Sequence, residues 1–97
     1  MVKTEILSEL WEVINDRVNQ PPERSYVSRL MHDEKGVDKV LEKVGEESTE
    51  FILAVKNDVD ERIVSEAADL IFHLMVALRA ADIPLDDVMD ELARRRK

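Results

Sequence analysis

Four carboxylates placed symmetrically about one turn-like stretch constrain this chain more than anything else in it. Glu47 and Glu50 lie in the run Glu46-Glu47-Ser48-Thr49-Glu50, and Glu66 and Asp69 in Glu66-Ala67-Ala68-Asp69. Within each pair the three-residue spacing puts both side chains on one helix face, about 60° apart around the axis. Glu47 with Asp69, and Glu50 with Glu66, are each centred on residue 58, inside Asn57-Asp58-Val59-Asp60. A chain folding back there as an antiparallel helical hairpin brings all four together. Four converging carboxylates repel, so they require a bound cation or shifted protonation. Oxygen donors without any cysteine point to a hard divalent ion, most simply Mg²⁺.

The rest of the chain supports an all-α fold. Gly and Pro number 2 and 3, and aromatics make up 4%, so breakers and strand-favouring residues are both scarce. A first helix is expected over Thr4 to Val18, where Leu7, Leu10, Ile14 and Val18 recur at helical spacing and Gln20-Pro21-Pro22 ends the run. Ser25 to Met31 reads as a short helix capped by Ser25, with a polar loop ending at Gly36. A second long helix is expected from Asp38 to Asn57, with Val40, Leu41, Val44, Phe51, Ile52 and Val55 on its apolar side. Gly45 inside it costs about 1 kcal/mol relative to Ala, which implies close approach by something else.

A third helix follows from Asp60 to Ala81, with Asp58 or Asp60 as its N-cap, and a fourth from Leu85 to Arg94, with Val88, Met89 and Leu92 facing inward. The stretch Leu70 to Leu78 is apolar on nearly all sides. A helix of that kind must be covered all round, and so small a chain covers it most simply by homo-oligomerisation. The expected architecture is one domain over residues 1–97: an antiparallel bundle of four to five helices, completed by a second copy.

Composition excludes several classes of function. A formal charge of −8 opposes general nucleic-acid binding, which depends on neutralising phosphates. It leaves room for one phosphorylated small molecule held through metal and a few local cations. The absence of Cys removes disulfides, zinc-thiolate sites and thiol nucleophiles. Lys3 and Glu5 interrupt any leader-like apolar stretch, and the apolar run Ala67 to Ala81 is too short to span a bilayer. A cytoplasmic protein without membrane or nucleic-acid partners is expected. There is no glycine-rich phosphate loop, no Glu three residues before either His, and no nucleophile-elbow sequence.

Each remaining residue has a plain structural role to set beside a functional one. The run Glu46 to Glu50 alone reads equally well as a solvated helix face. Asp69, between Ala67-Ala68 and Leu70-Ile71-Phe72, is expected where an unpaired charge is costly. His73 is one turn further along the same face, as a core histidine, a partner of Asp69 or a substrate contact. Lys43, one turn before Glu47, is either half of a surface ion pair or a cation aimed at a phosphate. Metal chemistry on a phosphoanhydride is what these residues fit: the ion neutralises and orients a polyphosphate, and a free carboxylate acts as general base.

Glu47-x-x-Glu50, a spacer of residues 51–65, and Glu66-x-x-Asp69 resemble the signature of the all-α nucleoside triphosphate pyrophosphatases, the superfamily of MazG-type enzymes and dimeric dUTPases. Ser25-Tyr26, Lys43-Val44-Gly45-Glu46-Glu47, Asp69-Leu70-Ile71-Phe72-His73-Leu74 and the arginine-rich end after Glu91-Leu92 narrow the resemblance to the phosphoribosyl-ATP pyrophosphatase family of histidine biosynthesis. Val27 and Met31 stand where relatives often carry Thr and Phe. The resemblance implies Mg²⁺-dependent cleavage of phosphoribosyl-ATP to phosphoribosyl-AMP and pyrophosphate, in a homodimer or a dimer of dimers. It implies Glu47, Glu50, Glu66 and Asp69 as metal ligands, Glu46 and Glu47 as the catalytic pair, and Lys43, His73 and Arg94 as substrate contacts. The rivals are a MazG-like hydrolase of other nucleoside triphosphates and a non-catalytic acidic helical-dimer module. Arg94 also fits a simpler role, balancing its helix's negative end within the cluster Arg94 to Lys97.

Overall fold

The structure, a computed structural model, describes residues 2–96, and among these the regular structure is entirely helical. Helix α1 spans Glu5–Arg17, α2 Tyr26–Met31, α3 Val37–Asn57, α4 Asp60–Ala80 and α5 Leu85–Arg95, with a single 3₁₀ turn at Pro22–Arg24 between α1 and α2. Lys97, counted above in the C-terminal basic cluster, lies outside the described residues.

Local chemistry sets most of the boundaries. The Ser25 hydroxyl accepts from the Ser28 N–H at 3.1 Å, the expected cap of α2. In the loop before α3, the Asp33 carboxylate accepts from the Lys35 N–H at 2.9 Å. Gly36 then takes φ +64°, a conformation that favours glycine.

The link between α3 and α4 departs from expectation. Asp58 is left-handed (φ 57°, ψ 44°), and its N–H donates to the Val55 carbonyl, so it terminates α3 instead of capping α4. The N-cap of α4 is Val59, which has no side-chain oxygen to offer. Asp60 and Glu61 lie inside the first turn, where the helix dipole favours negative charge.

Two residues therefore reverse the chain, and α3 and α4 pair along their length as the expected hairpin. The core gathers at one end of it. Ile14 and Val18 from α1, Val27 and Leu30 from α2, Val40 from the start of α3 and Met75 and Val76 from the second half of α4 are buried together, with Leu85 closing the base. Leu41, Ile52 and Val55 of α3, expected on a covered side, are exposed in the single chain, as is Leu92 of α5. Ile71 and Leu74 of the all-round apolar stretch are also exposed. A groove of about 430 Å³ runs beside them, lined by Leu41, Leu74, Ala77, Leu78, Ala81 and Val88. Gly45 does not admit a close neighbour within the chain: a Cβ there would meet nothing within 4 Å. Its position on the outer side of α3 explains why.

Candidate active site

The hairpin register carries the acidic motifs to one place. Glu47 from α3 and Glu66 and Asp69 from α4 each offer a carboxylate oxygen, and these oxygens lie within 4.8 Å of one another. Glu50, the fourth expected ligand, is exposed and outside that group of three, though near enough for its charge to act on Glu66. The burial differs from expectation. Glu47 and Glu66 are the buried pair, at 7% and 8% exposure, while Asp69 is exposed. The apolar residues flanking Asp69 in sequence point elsewhere, because each step along a helix turns the side chain by about 100°.

Each buried glutamate is held by one cation a turn earlier on its own helix. The Lys43 ammonium lies 3.5 Å from Glu47 Oε1 and 3.1 Å from the Glu46 carboxylate. The Arg62 guanidinium lies 3.3 Å from Glu66 Oε1. In both glutamates the second oxygen, Oε2, is buried and has no hydrogen-bond partner. Unpartnered buried carboxylate oxygens are costly, and two on facing helices mark a place built for a missing positive group. Every donor is a carboxylate oxygen, and 4.8 Å is about twice a hard-cation-to-oxygen distance of 2.0–2.6 Å. The residues present fit one divalent ion of that class.

The electrostatics agree. Burial pushes the Glu66 carboxyl above the ordinary carboxylate range; the neighbouring carboxyls of Glu50 and Asp69 add to this, against the lowering effect of Arg62. The Lys43 ammonium is held above its ordinary value, chiefly by its hydrogen bond to Glu46.

Tyr26 forms a third wall, from α2. Its hydroxyl is 2.8 Å from His73 Nε2, and His73 Nδ1 is 2.7 Å from the backbone carbonyl of Asp69. His73 is thus buried with both ring nitrogens engaged, and it meets the backbone of Asp69. Burial raises the Tyr26 phenol above its usual value; Lys43 opposes this, and the charges of Glu47, Glu46 and Asp69 reinforce it. Arg94 is paired with Glu91 on α5 and is not among the ion-pair partners of Glu47 or Glu66.

Sequence reasoning missed Arg62 as part of the site and used Tyr26 only for resemblance. Arg62 was open to discovery, since it precedes Glu66 by the same four residues that separate Lys43 from Glu47. No such periodicity reveals Tyr26, whose place depends on how α2 packs.

Residues 7–96 match the family described as phosphoribosyl-ATP pyrophosphohydrolase. The chain is 65% identical over 96 residues to a phosphoribosyl-ATP pyrophosphatase of Methanoregula boonei, covering 99% of this chain and 92% of that one. It is 60% identical to the protein of the same name from Methanosphaerula palustris, over 100% of this chain and 98% of that one. The corresponding protein of Methanoculleus marisnigri is 61% identical over 95% of each chain.

Proposed function

This chain belongs to the phosphoribosyl-ATP pyrophosphohydrolase family, and on that premise we propose that it hydrolyses phosphoribosyl-ATP between its α and β phosphates, giving phosphoribosyl-AMP and pyrophosphate, with Mg²⁺ as cofactor. The observation that carries the site assignment is the pair of buried, unpartnered Oε2 atoms of Glu47 and Glu66, on carboxylates that converge with that of Asp69.

Glu47, Glu50, Glu66 and Asp69 hold the ion. A magnesium ion bound there supplies neutralisation of the polyphosphate and polarisation of the attacking water. The remaining work falls to the chain itself. Lys43 and Arg62 pair with Oε1 of the two buried glutamates, leaving each Oε2 free for the ion. Lys43, only 26% exposed, also presents its charge to a phosphate oxygen at the rim. Glu46, tethered by Lys43 and 59% exposed, is the carboxylate outside the cluster that can take a proton as general base. His73 bears on the substrate through Tyr26, because both of its own nitrogens are engaged. Arg94, paired with Glu91 within its own chain, would contact substrate by reaching the phosphates held by a neighbouring subunit.

The apolar face of α3 and α4 supports a homodimer, with a second copy covering Leu41, Ile71 and Leu74. No helix among the described residues is long and apolar enough to cross a membrane; the family's biosynthetic role supports a cytoplasmic location.

The test is release of pyrophosphate from phosphoribosyl-ATP and from a panel of ordinary nucleoside triphosphates, with and without Mg²⁺. Turnover of phosphoribosyl-ATP that vanishes on chelation is expected. Hydrolysis of dUTP or dCTP with none of phosphoribosyl-ATP would overturn the substrate assignment, and loss of helical signal on chelation would make the metal structural.

A further inference from the structure

We propose that Tyr26 is a substrate-binding residue whose hydroxyl oxygen accepts a hydrogen bond from a sugar hydroxyl of the bound nucleotide. The inference rests on the nucleotide-hydrolase reading above and adds to it the group that recognises the ribose.

The argument starts at a backbone carbonyl. The Asp69 carbonyl can only accept, so His73 Nδ1, 2.7 Å away, carries a hydrogen. In the neutral imidazole Nε2 is then bare, and the Tyr26 hydroxyl 2.8 Å from it is the donor. The single hydrogen of the phenol is thereby committed to a buried partner. What remains on the Tyr26 oxygen is acceptor capacity only.

The oxygen is also fixed in place. Ser25 caps α2 directly before Tyr26, and Val27, Ser28 and Leu30 anchor the helix in the core. The Tyr26 ring lies 6.3 Å from that of Phe72, nearly parallel, and meets the His73 ring edge-on at 5.7 Å. The Arg29 guanidinium sits 5.9 Å from the ring centre. Yet Tyr26 is 38% exposed while His73 beneath it is only 6% exposed. Tyr26 is thus a fixed side chain that is partly open to solvent, near enough to Lys43, Glu46, Glu47 and Asp69 for their charges to act on its phenol.

The chemistry of the acceptor selects its partner. Polyphosphate oxygens carry no hydrogen at neutral pH and are repelled by another lone pair. The ribose is the donor-bearing group covalently next to the α phosphate, so a nucleotide whose phosphates reach Lys43 and the metal site carries its sugar hydroxyls past Tyr26.

The experiment measures binding of AMP, 2′-deoxy-AMP, 3′-deoxy-AMP and pyrophosphate, in the presence of Mg²⁺, to the wild-type protein and to Tyr26→Phe. Circular dichroism and Tm confirm that the variant is folded. Tyr26→Phe is expected to weaken AMP binding about 3- to 10-fold, the loss of one hydrogen bond, and to leave pyrophosphate binding unchanged. One of the two deoxy analogues should bind the wild type more weakly by a similar factor and lose nothing further in Tyr26→Phe. Equal affinity of the wild type for AMP and both deoxy analogues would overturn the contact. So would an equal loss for AMP, both deoxy analogues and pyrophosphate in the variant, which would assign the hydroxyl to holding His73 alone. Failure of the wild type to bind either AMP or pyrophosphate would sink the nucleotide reading and this contact together. AMP binding that ignores its sugar hydroxyls would sink only the contact.

Discussion

The two ends of the α3–α4 hairpin are built from similar residues and live in different surroundings. At the base, Val40, Met75 and Val76 are buried against Ile14, Val27 and Leu30 of the two shorter helices. Towards the turn, Ile52, Leu53 and Val64 are 59%, 54% and 70% exposed, and Ala54 is the buried apolar residue of that stretch of α3. The carboxylate cluster lies between them. One half is thus stabilised by its own chain, and the other presents an apolar surface whose partner is a further copy under the proposal above. The carboxylate cluster, the metal site under the proposal above, sits on the border between the two.

Substitutions break or sharpen that contrast. The largest effect falls at the border itself. Glu66→Gln should lower turnover by at least about 100-fold, since even residues behind metal ligands typically cost 10- to 100-fold. It should also raise the Tm of the metal-free protein by removing a carboxylate from a repelling group. A metal-free variant that melts lower than wild type would contradict the site as described.

Next comes the base. Ile14→Ala should destabilise the fold by about 2–5 kcal/mol, because Ile14 is fully buried and its removal leaves a cavity. Denaturant unfolding measures this directly. Ser25→Ala, which removes the cap of α2, should cost about 1 kcal/mol. The turn end should yield least: Val64→Ala changes the unfolding free energy by no more than about 0.5 kcal/mol if the surface is solvated. A loss comparable to Ile14→Ala, dependent on protein concentration, would instead place Val64 in the interface between copies.

The pH dependence of the metal-free protein follows from Glu66. Its carboxyl is raised in the folded state, so between the ordinary glutamate value and the raised one the folded chain binds more protons than the unfolded chain. This contribution to stability is fully present below the unfolded value and is lost as pH rises through the folded one. Glu66→Gln should flatten that segment of a stability–pH curve, and a curve of unchanged shape would assign the slope elsewhere.

Much of this was legible in the sequence because it is local or periodic. The hairpin followed from symmetry about residue 58, the α2 cap from Ser25, and the link of Lys43 to Glu47 from a four-residue step. What escaped depends on orientation between elements. Asp69 has apolar sequence neighbours and an exposed side chain, whereas Glu66 has a milder context and is buried, because burial is decided by what faces a helix and not by what adjoins in sequence. The cap of α4 was misplaced because Asp58 spends its conformation on ending α3. Gly45 has no close neighbour among the described residues, so whatever approaches it comes from outside the chain.

The reversal at Asp58 and Val59 has a bearing on which length changes the chain can survive. With only two residues between the helices, no slack exists to absorb an added or lost residue. One residue inserted within either helical arm, between Phe51 and Asn57 or between Asp60 and Ser65, rotates what lies beyond it by about 100° and slides it by about 1.5 Å along the helix. Glu66 and Asp69 would then swing away from Glu47 while every side chain in the site remained intact. The fifteen residues 51–65 therefore act as a ruler: their number matters for the site more than their identities do.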